Sequence, residues 1–365
     1  MGLFARILTG LLVGTALCAV GLVGWRIARQ QVTADMLRIR SPDGVQEAGY
    51  TRINGLDQWI QVRGEHRRNP ILLFVHGGPG FSMSPLTPIF RSWEADFTVA
   101  QWDQRNAGLT FSRTGAQPLS LDQAARDGIA VVEHLRGRLG NRKIVVLGHS
   151  WGSAVALEMV LRRPELFAAY VGTGQMSSKA EQEAISYATV LARLRARGDA
   201  KGVAELEAAG PPPYPTLASL LVQRKWLARV DTTEEQTLFR RMAPLVLASP
   251  NLRLREAWDY NAAPKVAQQA TYDELARFEA RALGMHYAVP MFIFQGDQDL
   301  YTPAEPNARY LREIAAPSKA FVLLAGGGHS VVLTRPDIFL AELRVRVRPL
   351  AMDKGPPLSA LQSQR

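Results

Sequence analysis

Short apolar runs alternate with amphipathic stretches along most of this chain. Residues 71–75 (Ile-Leu-Leu-Phe-Val) are apolar throughout, the pattern of a strand buried on both faces. Similar runs recur at 97–102, 143–147, 167–173, 290–295 and 320–324. Residues 121–139 carry the apolar spacing of a helix, and a last helix is predicted from Pro336 to residue 347. Ahead of the first run, 50–53 and 58–63 alternate around Asn54-Gly55-Leu56-Asp57, a hairpin signal. Strands alternating with helices predict an α/β protein with a mostly parallel sheet covered on both faces. Between 177 and 286 that rhythm breaks. This stretch is helical in period, rich in arginine and alanine, and holds a proline cluster at 211–215 but no buried-strand run. It is expected to be a helical cap inserted into a core formed by 45–176 and 287–348. The end of the chain, 349–365, holds Gly355-Pro356-Pro357 and polar residues and is expected to be disordered.

The N-terminus follows a different pattern. Residues 7–25 hold no charged side chain, with Arg6 ahead of them and Arg26 and Arg29 behind. At 1.5 Å per residue such a helix covers about 28 Å, close to the hydrocarbon thickness of a bilayer. A cleaved signal peptide would have a shorter apolar region and a small-x-small exit, and Thr15-Ala16-Leu17-Cys18 is a poor lipoprotein cleavage box. A buried core helix would show a polar face. The preferred reading is an uncleaved single-pass anchor over 1–29, with Trp25 in the interface and the arginines at the headgroups. A stalk over 30–44 follows, ending in the turn cluster Ser41-Pro42-Asp43-Gly44. The expected location is the cell membrane. Arg26, Arg29, Arg38 and Arg40 oppose Arg6 and the amino terminus, which tilts the balance weakly toward a cytosolic C-terminal domain and leaves the side open.

Composition adds little against this picture. The 365 residues, 47% of them hydrophobic, suit one large domain or one domain with an insertion. The single cysteine, Cys18, excludes an intramolecular disulfide. A net charge of +10 raises the question of nucleic acid, but no helix-turn-helix, zinc-finger or RNA-binding signature accompanies it. No nucleic-acid partner is expected. Anionic headgroups beneath an anchored basic domain are a simpler match, and an arginine-rich solvated surface fits the charge equally well.

The candidate chemistry centres on Gly148-His149-Ser150-Trp151-Gly152. A serine between two glycines, where an apolar strand gives way to a helix, is a nucleophile elbow. The turn leaves no room for flanking side chains and pushes the hydroxyl clear of the sheet. Serine needs a base, and the base needs a carboxylate to orient it. Of six histidines, His329 follows the last strand in Gly326-Gly327-Gly328-His329-Ser330, a loop free enough to reach the elbow. His149 lies within the elbow itself, His134 lies mid-helix, and His76 lies in a loop that shapes the oxyanion site. The acid should follow the strand at 290–295, where Asp297 and Asp299 compete. Asp299 is favoured because it lies further into the loop and can turn back toward His329, with Asp297 bracing the turn. A developing oxyanion needs backbone donors. The amide of Trp151 is one candidate and that of Gly78, in His76-Gly77-Gly78-Pro79, the other. Ligands bind at the carboxyl ends of strands in such sheets, so these motifs should meet on one edge. No metal-ligand spacing or dinucleotide fingerprint is present, and no cofactor is expected.

His76-Gly77-Gly78-Pro79-Gly80, Trp102-Asp103-Gln104-Arg105, the elbow, Gly296-x-x-Asp299 and Gly328-His329 together resemble the α/β-hydrolase superfamily, over about residues 50–345. Within it they look like the proline iminopeptidase group of serine peptidases. That resemblance implies removal of an N-terminal residue, often proline, from short peptides, without a metal. It also implies a tryptophan-rich cap segment whose glutamate grips the free amine. The nearest stretch is Arg255-Glu256-Ala257-Trp258-Asp259-Tyr260-Asn261, with Ala262 where the glutamate would fall and Asn106 in place of another family glycine. Glu256, Trp258 and Asp259 are the candidate substrate-binding residues. The expected function is a serine hydrolase acting through an acyl-enzyme, aminopeptidase-like on short peptides or amides. The alternatives are a membrane-associated carboxylesterase on small or lipophilic esters, and a non-catalytic binding protein on the same fold.

Overall fold

A computed structural model of the chain describes residues 2–140 and 142–352. Eight strands form one sheet: β1 (Val45–Ile53), β2 (Leu56–Gly64), β3 (Ile71–Val75), β4 (Thr98–Asp103), β5 (Ile144–His149), β6 (Phe167–Thr173), β7 (Met291–Gly296) and β8 (Lys319–Leu324). Their order is β1-β2-β4-β3-β5-β6-β7-β8. The pairs β1·β2 and β2·β4 are antiparallel, and all the others are parallel. The opening hairpin is longer than its alternation predicts. Pairing runs from Val45 opposite Gly64 to Ile53 opposite Leu56, so the turn is only Asn54-Gly55. Both residues have positive φ (44° and 79°), as a tight two-residue hairpin requires.

The central strands are buried on both faces, and side-chain parity divides the core into two layers. Ile71, Leu73 and Val75 of β3 pack into one layer with Trp102, Ile144 and Val146. Leu72 and Phe74 point the other way and join Val99, Val145 and Leu147. Helices cover both layers. After α1 (Leu3–Met36), whose apolar part stands apart from the core, they include α2 (Gly108–Thr114), α3 (Leu121–Leu139) and α4 (Trp151–Arg162), with α11 (Ala304–Glu313), α12 (Val331–Thr334), α13 (Pro336–Glu342) and α14 (Arg348–Ala351) near the C-terminus. The expected tail is helical at its first residues, and 353–365 lie outside the described residues.

Between β6 and β7 the chain leaves the sheet for six helices: α5 (Lys179–Ala196), α6 (Ala200–Ala209), α7 (Leu217–Val230), α8 (Thr233–Leu247), α9 (Leu254–Ala276) and α10 (Ala280–Leu283). Val190, Leu194, Leu206, Trp226, Leu227 and Val230 give this cap a small core of its own, to which the sheet side contributes Leu300.

Helix α1 is one 34-residue element, so the stretch expected as a stalk is helical as far as Met36. Within its segment Ile7–Met36 an 18-residue window has a mean hydropathy of 2.2, long and apolar enough to cross a membrane, and that window is not buried against the rest of the chain. Further along, Thr33 and Leu37 are buried and Arg26 and Gln30 are half-buried, so the last turns lie against the body of the protein.

Candidate active site

Register brings the sequence motifs to one edge. Val75 pairs with both Trp102 and Gly148, and His149 pairs with Thr173. The residues that follow β3, β4, β5, β7 and β8 therefore open at the same end of the sheet. At that end lies a cavity of about 600 Å³ between sheet and cap, lined by Gly78, Ser150, Trp151 and His329 among others.

Ser150 has φ 53° and ψ −122°, a conformation that L-residues rarely adopt, which persists only when its surroundings hold it. Its own amide donates to Thr173 O at 3.0 Å, and its carbonyl accepts from Ser153 N and Oγ at 2.8 and 2.6 Å. The flanking glycine is a steric necessity. A Cβ on Gly152 would lie 2.0 Å from Val75 O. Ser150 Oγ has no hydrogen-bond partner among the described residues and lines the cavity. Free enzymes often tighten such bonds only around substrate.

His329 Nδ1 lies 2.9 and 3.1 Å from the two carboxylate oxygens of Asp299, which leaves Nε2 as the ring nitrogen without that partner. Asp299, not the exposed Asp297, faces the imidazole. Asp299 is itself held in place. Its Oδ1 accepts from the amides of Tyr301 and Thr302, both at 2.8 Å, and its Oδ2 from Gln295 Nε2 and Thr302 Oγ1, both at 2.7 Å. Burial pushes the Asp299 carboxyl up, but His329 and these donors outweigh it and hold its pKa below the ordinary value. Burial alone would lower His329. The charge and hydrogen bond of Asp299 reverse this, and the imidazole is more basic than usual. The Tyr301 ring lies 4.7 Å from that of His329 at 31° and fixes its plane.

The amides of Gly78 and Trp151 donate to no chain acceptor among the described residues, and both residues border the cavity beside Ser150. Gly78 has φ 116°, where a side chain would be strained. The loop is braced from below. His76 Nε2 accepts from Gln104 N at 3.2 Å, Gln104 Nε2 donates to His76 O at 2.8 Å, and Trp151 Nε1 donates to Gln104 Oε1 at 3.0 Å. Burial lowers His76 to about 4 and His149 to about 3, so both rings are neutral near pH 7. Asp103 accepts from Ser82, Ser84 and the Leu109 amide and anchors the next loop.

The candidate substrate-binding residues of the cap are a correction. Glu256 accepts from the Arg253 amide at the start of α9, Trp258 is 77% exposed, and neither they nor Asp259 line the cavity. Helical periodicity turns Ala257, Tyr260 and Ala263 inward instead. The carboxylates that do line it are Glu183 and Glu235. Glu183, on α5, is paired with Lys179 and Arg224. Glu235, on α8, accepts from Ser330 N at 2.6 Å and has no cationic partner among the described residues; burial raises its pKa. Asp231, one turn earlier, is pushed up by burial to about 7. Nothing in the local sequence around Glu183 or Glu235 marks them, because the cap's fold alone brings them over the sheet.

Residues 72–342 match the model of the alpha/beta hydrolase family. A Bacillus subtilis protein named Probable aminopeptidase YbaC is 28% identical over 307 residues, covering 81% of this chain and 94% of the relative. A Saccharolobus solfataricus proline iminopeptidase is 28% identical over 173 residues, 44% of this chain and 54% of its own length. Among solved structures, a proline iminopeptidase-related protein from Thermus thermophilus superposes with a TM-score of 0.54 at 21% identity, over 84% of this chain and 99% of that one. A membrane phospholipase A described as a bacterial virulence factor superposes with a TM-score of 0.59 at 16% identity, over 95% and 99%. At these identities the structural likeness is one of fold.

Proposed function

The chain belongs to the alpha/beta hydrolase family, and we propose that it acts there as a serine hydrolase that forms an acyl-enzyme on Ser150. The observation that carries this reading is one cavity lined both by a strained serine and by a histidine held by a buried carboxylate. Ser150 Oγ attacks the substrate carbonyl carbon while His329 Nε2 takes its proton. Asp299 stabilises the resulting imidazolium and keeps the ring in the tautomer that presents Nε2. The oxyanion is received by the amides of Gly78 and Trp151. His329 then gives its proton to the leaving nitrogen or oxygen, which departs. Water, deprotonated by the same imidazole, hydrolyses the acyl-serine ester to the free acid.

For the substrate we favour short peptides or amides with a free amino terminus. Glu235 lines the cavity as a carboxylate without a cation, whereas the charge of Glu183 is already taken by Lys179 and Arg224. An ammonium group entering the site therefore has one place to find its counter-charge, and leaving it unpaired there is costly. The similarity to an aminopeptidase over nearly its full length agrees with this. One observation favours a second reading, lipophilic esters. Leu217, Leu220, Leu238, Phe239 and Met242 make the cap side of the cavity apolar, and α1 would hold the enzyme at a bilayer. In this account α1 is a single-pass anchor.

The test is a panel of alanyl and prolyl arylamides, their N-acetylated forms and short acyl esters, against the native protein, Ser150→Ala and Glu235→Gln. The aminopeptidase reading expects cleavage of the free-amine arylamides only, and selective loss of that cleavage in Glu235→Gln. Turnover of esters alone would replace it with the second reading. No turnover of any member by folded protein would remove the enzymatic account.

A further inference from the structure

The last turns of α1 are bonded to one short segment of the cap. Arg26 Nη2 donates to Leu252 O, and Gln30 Nε2 donates to Ser249 O at 2.7 Å and Leu252 O at 2.8 Å. These contacts join positions more than 200 residues apart, in the link between α8 and α9. Arg26 directly follows Trp25, the last residue of the uncharged stretch. If 7–25 spans a bilayer, a rise of 1.5 Å per residue sets Arg26 at headgroup level. The Leu252 carbonyl bonded to it lies at that level too.

The residues around this contact are the wrong ones for water and the right ones for an interface. Leu254 and Trp258, one turn apart on α9, are 55% and 77% exposed, turned away from the buried Tyr260, Ala263 and Ala267. Leu247, at the end of α8, is 41% exposed. Arg253 precedes Leu254. Arg255 beside it is largely exposed, its one ion pair among the described residues a loose 3.7 Å contact to Asp259. Tryptophan prefers the boundary between chain and headgroup, where its ring is half solvated. Arginines beside it add attraction to anionic lipid.

We infer that Leu247, Leu254 and Trp258, flanked by Arg253 and Arg255, form a second membrane contact, seated in the anionic headgroup layer next to the anchor. The inference rests on reading α1 as a spanning anchor. Its occupant is the lipid surface, because the hydrogen bonds to α1 hold the patch where the helix emerges from the bilayer. A protein held only by its anchor would swing freely. This contact, with the Arg26 and Gln30 bonds, fixes the cap against the membrane and with it the side on which substrates reach the cavity.

The experiment uses the full chain in vesicles of equimolar phosphatidylcholine and phosphatidylglycerol. An environment-sensitive fluorophore is placed at Leu254→Cys or Trp258→Cys in a Cys18→Ser background, and on native Cys18 as the anchor reporter. The expected result is loss of emission at 254 and 258 when lipids spin-labelled near the headgroup are included, protection there from aqueous iodide, and weaker quenching when Arg253 and Arg255 are both changed to Gln. Quenching at Cys18 with none at 254 or 258 would overturn the inference and leave the anchor standing. No quenching at Cys18 even by lipids spin-labelled along the acyl chain would overturn both. Shielding at 254 and 258 that grows only with protein density, without lipid quenching, would assign the patch to a second copy of the chain and equally overturn it.

Discussion

His329 is pulled in two directions, by burial toward the neutral ring and by Asp299 toward the charged one, and the carboxylate prevails. As a general base the ring must be neutral. Activity should therefore rise with pH through a midpoint above the ordinary histidine value of 6.5. Replacing Asp299 with Asn removes the largest raising influence and leaves only Glu235 and Asp231 to oppose burial. The acid limb of kcat/KM should move to lower pH while the rate falls by about 10⁴-fold. A pH–rate profile of both proteins checks the sign, and a limb that stays in place would detach Asp299 from this role. The positions of Ser150, Asp299 and His329 could be proposed from sequence because each sits at a fixed offset from an apolar strand. Gln295, Tyr301 and Thr302 could not, since their contacts with Asp299 and His329 depend on a loop path that no local pattern encodes. Glu256, Trp258 and Asp259 were misplaced for the related reason that the rotation of α9 about its axis is set by what it packs against.

Individual elements carry their own constraints. Elbow and strand β3 approach so closely that Gly152→Ala would drive a methyl into the Val75 carbonyl. The expected cost is about 1–3 kcal/mol, read from chemical denaturation, because the obstacle is backbone and cannot rotate away. In the cap, Glu183 joins α5 to α7 by accepting from Lys179 and Arg224. Burial would raise its pKa, but Arg224 and Lys179 dominate and bring it from 4.5 to about 2. A depressed carboxyl stabilises the fold fully above its unfolded pKa and loses that contribution as pH falls through the folded value. The window is therefore pH 4.5 down to about 2. Glu183→Gln leaves two half-buried cations unbalanced. It should cost about 3–5 kcal/mol at neutral pH and flatten the acid limb of the stability profile in that window. An unchanged denaturation midpoint would contradict the assignment. Strands β3 to β7 were legible to within a residue or two because double-sided burial leaves an unbroken apolar run, whereas β1, half exposed, starts five residues before its alternation predicts. The cap was legible only as helices. Their amphipathic faces are shared between a small core and a cavity, and pattern alone cannot separate the two.

At the scale of the whole molecule, one apolar helix, one sheet and one cap are joined so that the exit of the helix touches the cap and the cap roofs the cavity. If α1 is an anchor, alkaline carbonate washing should leave the full chain in the membrane pellet and only detergent should release it. Release by carbonate would mean that the helix does not span. Sequence showed the uncharged stretch of that helix and the arginines that flank it. It could not show that the helix continues to Met36 and lies against the body, since that depends on contacts with residues more than 200 positions away. The central claim, that Ser150 is the activated nucleophile, is tested most directly by intact-protein mass after exposure to a fluorophosphonate. One adduct is expected on the native chain, mapped to Ser150, with none on Ser150→Ala and strongly slowed labelling of His329→Gln. A folded native chain that stays unlabelled, or labelling that persists in Ser150→Ala, would contradict it.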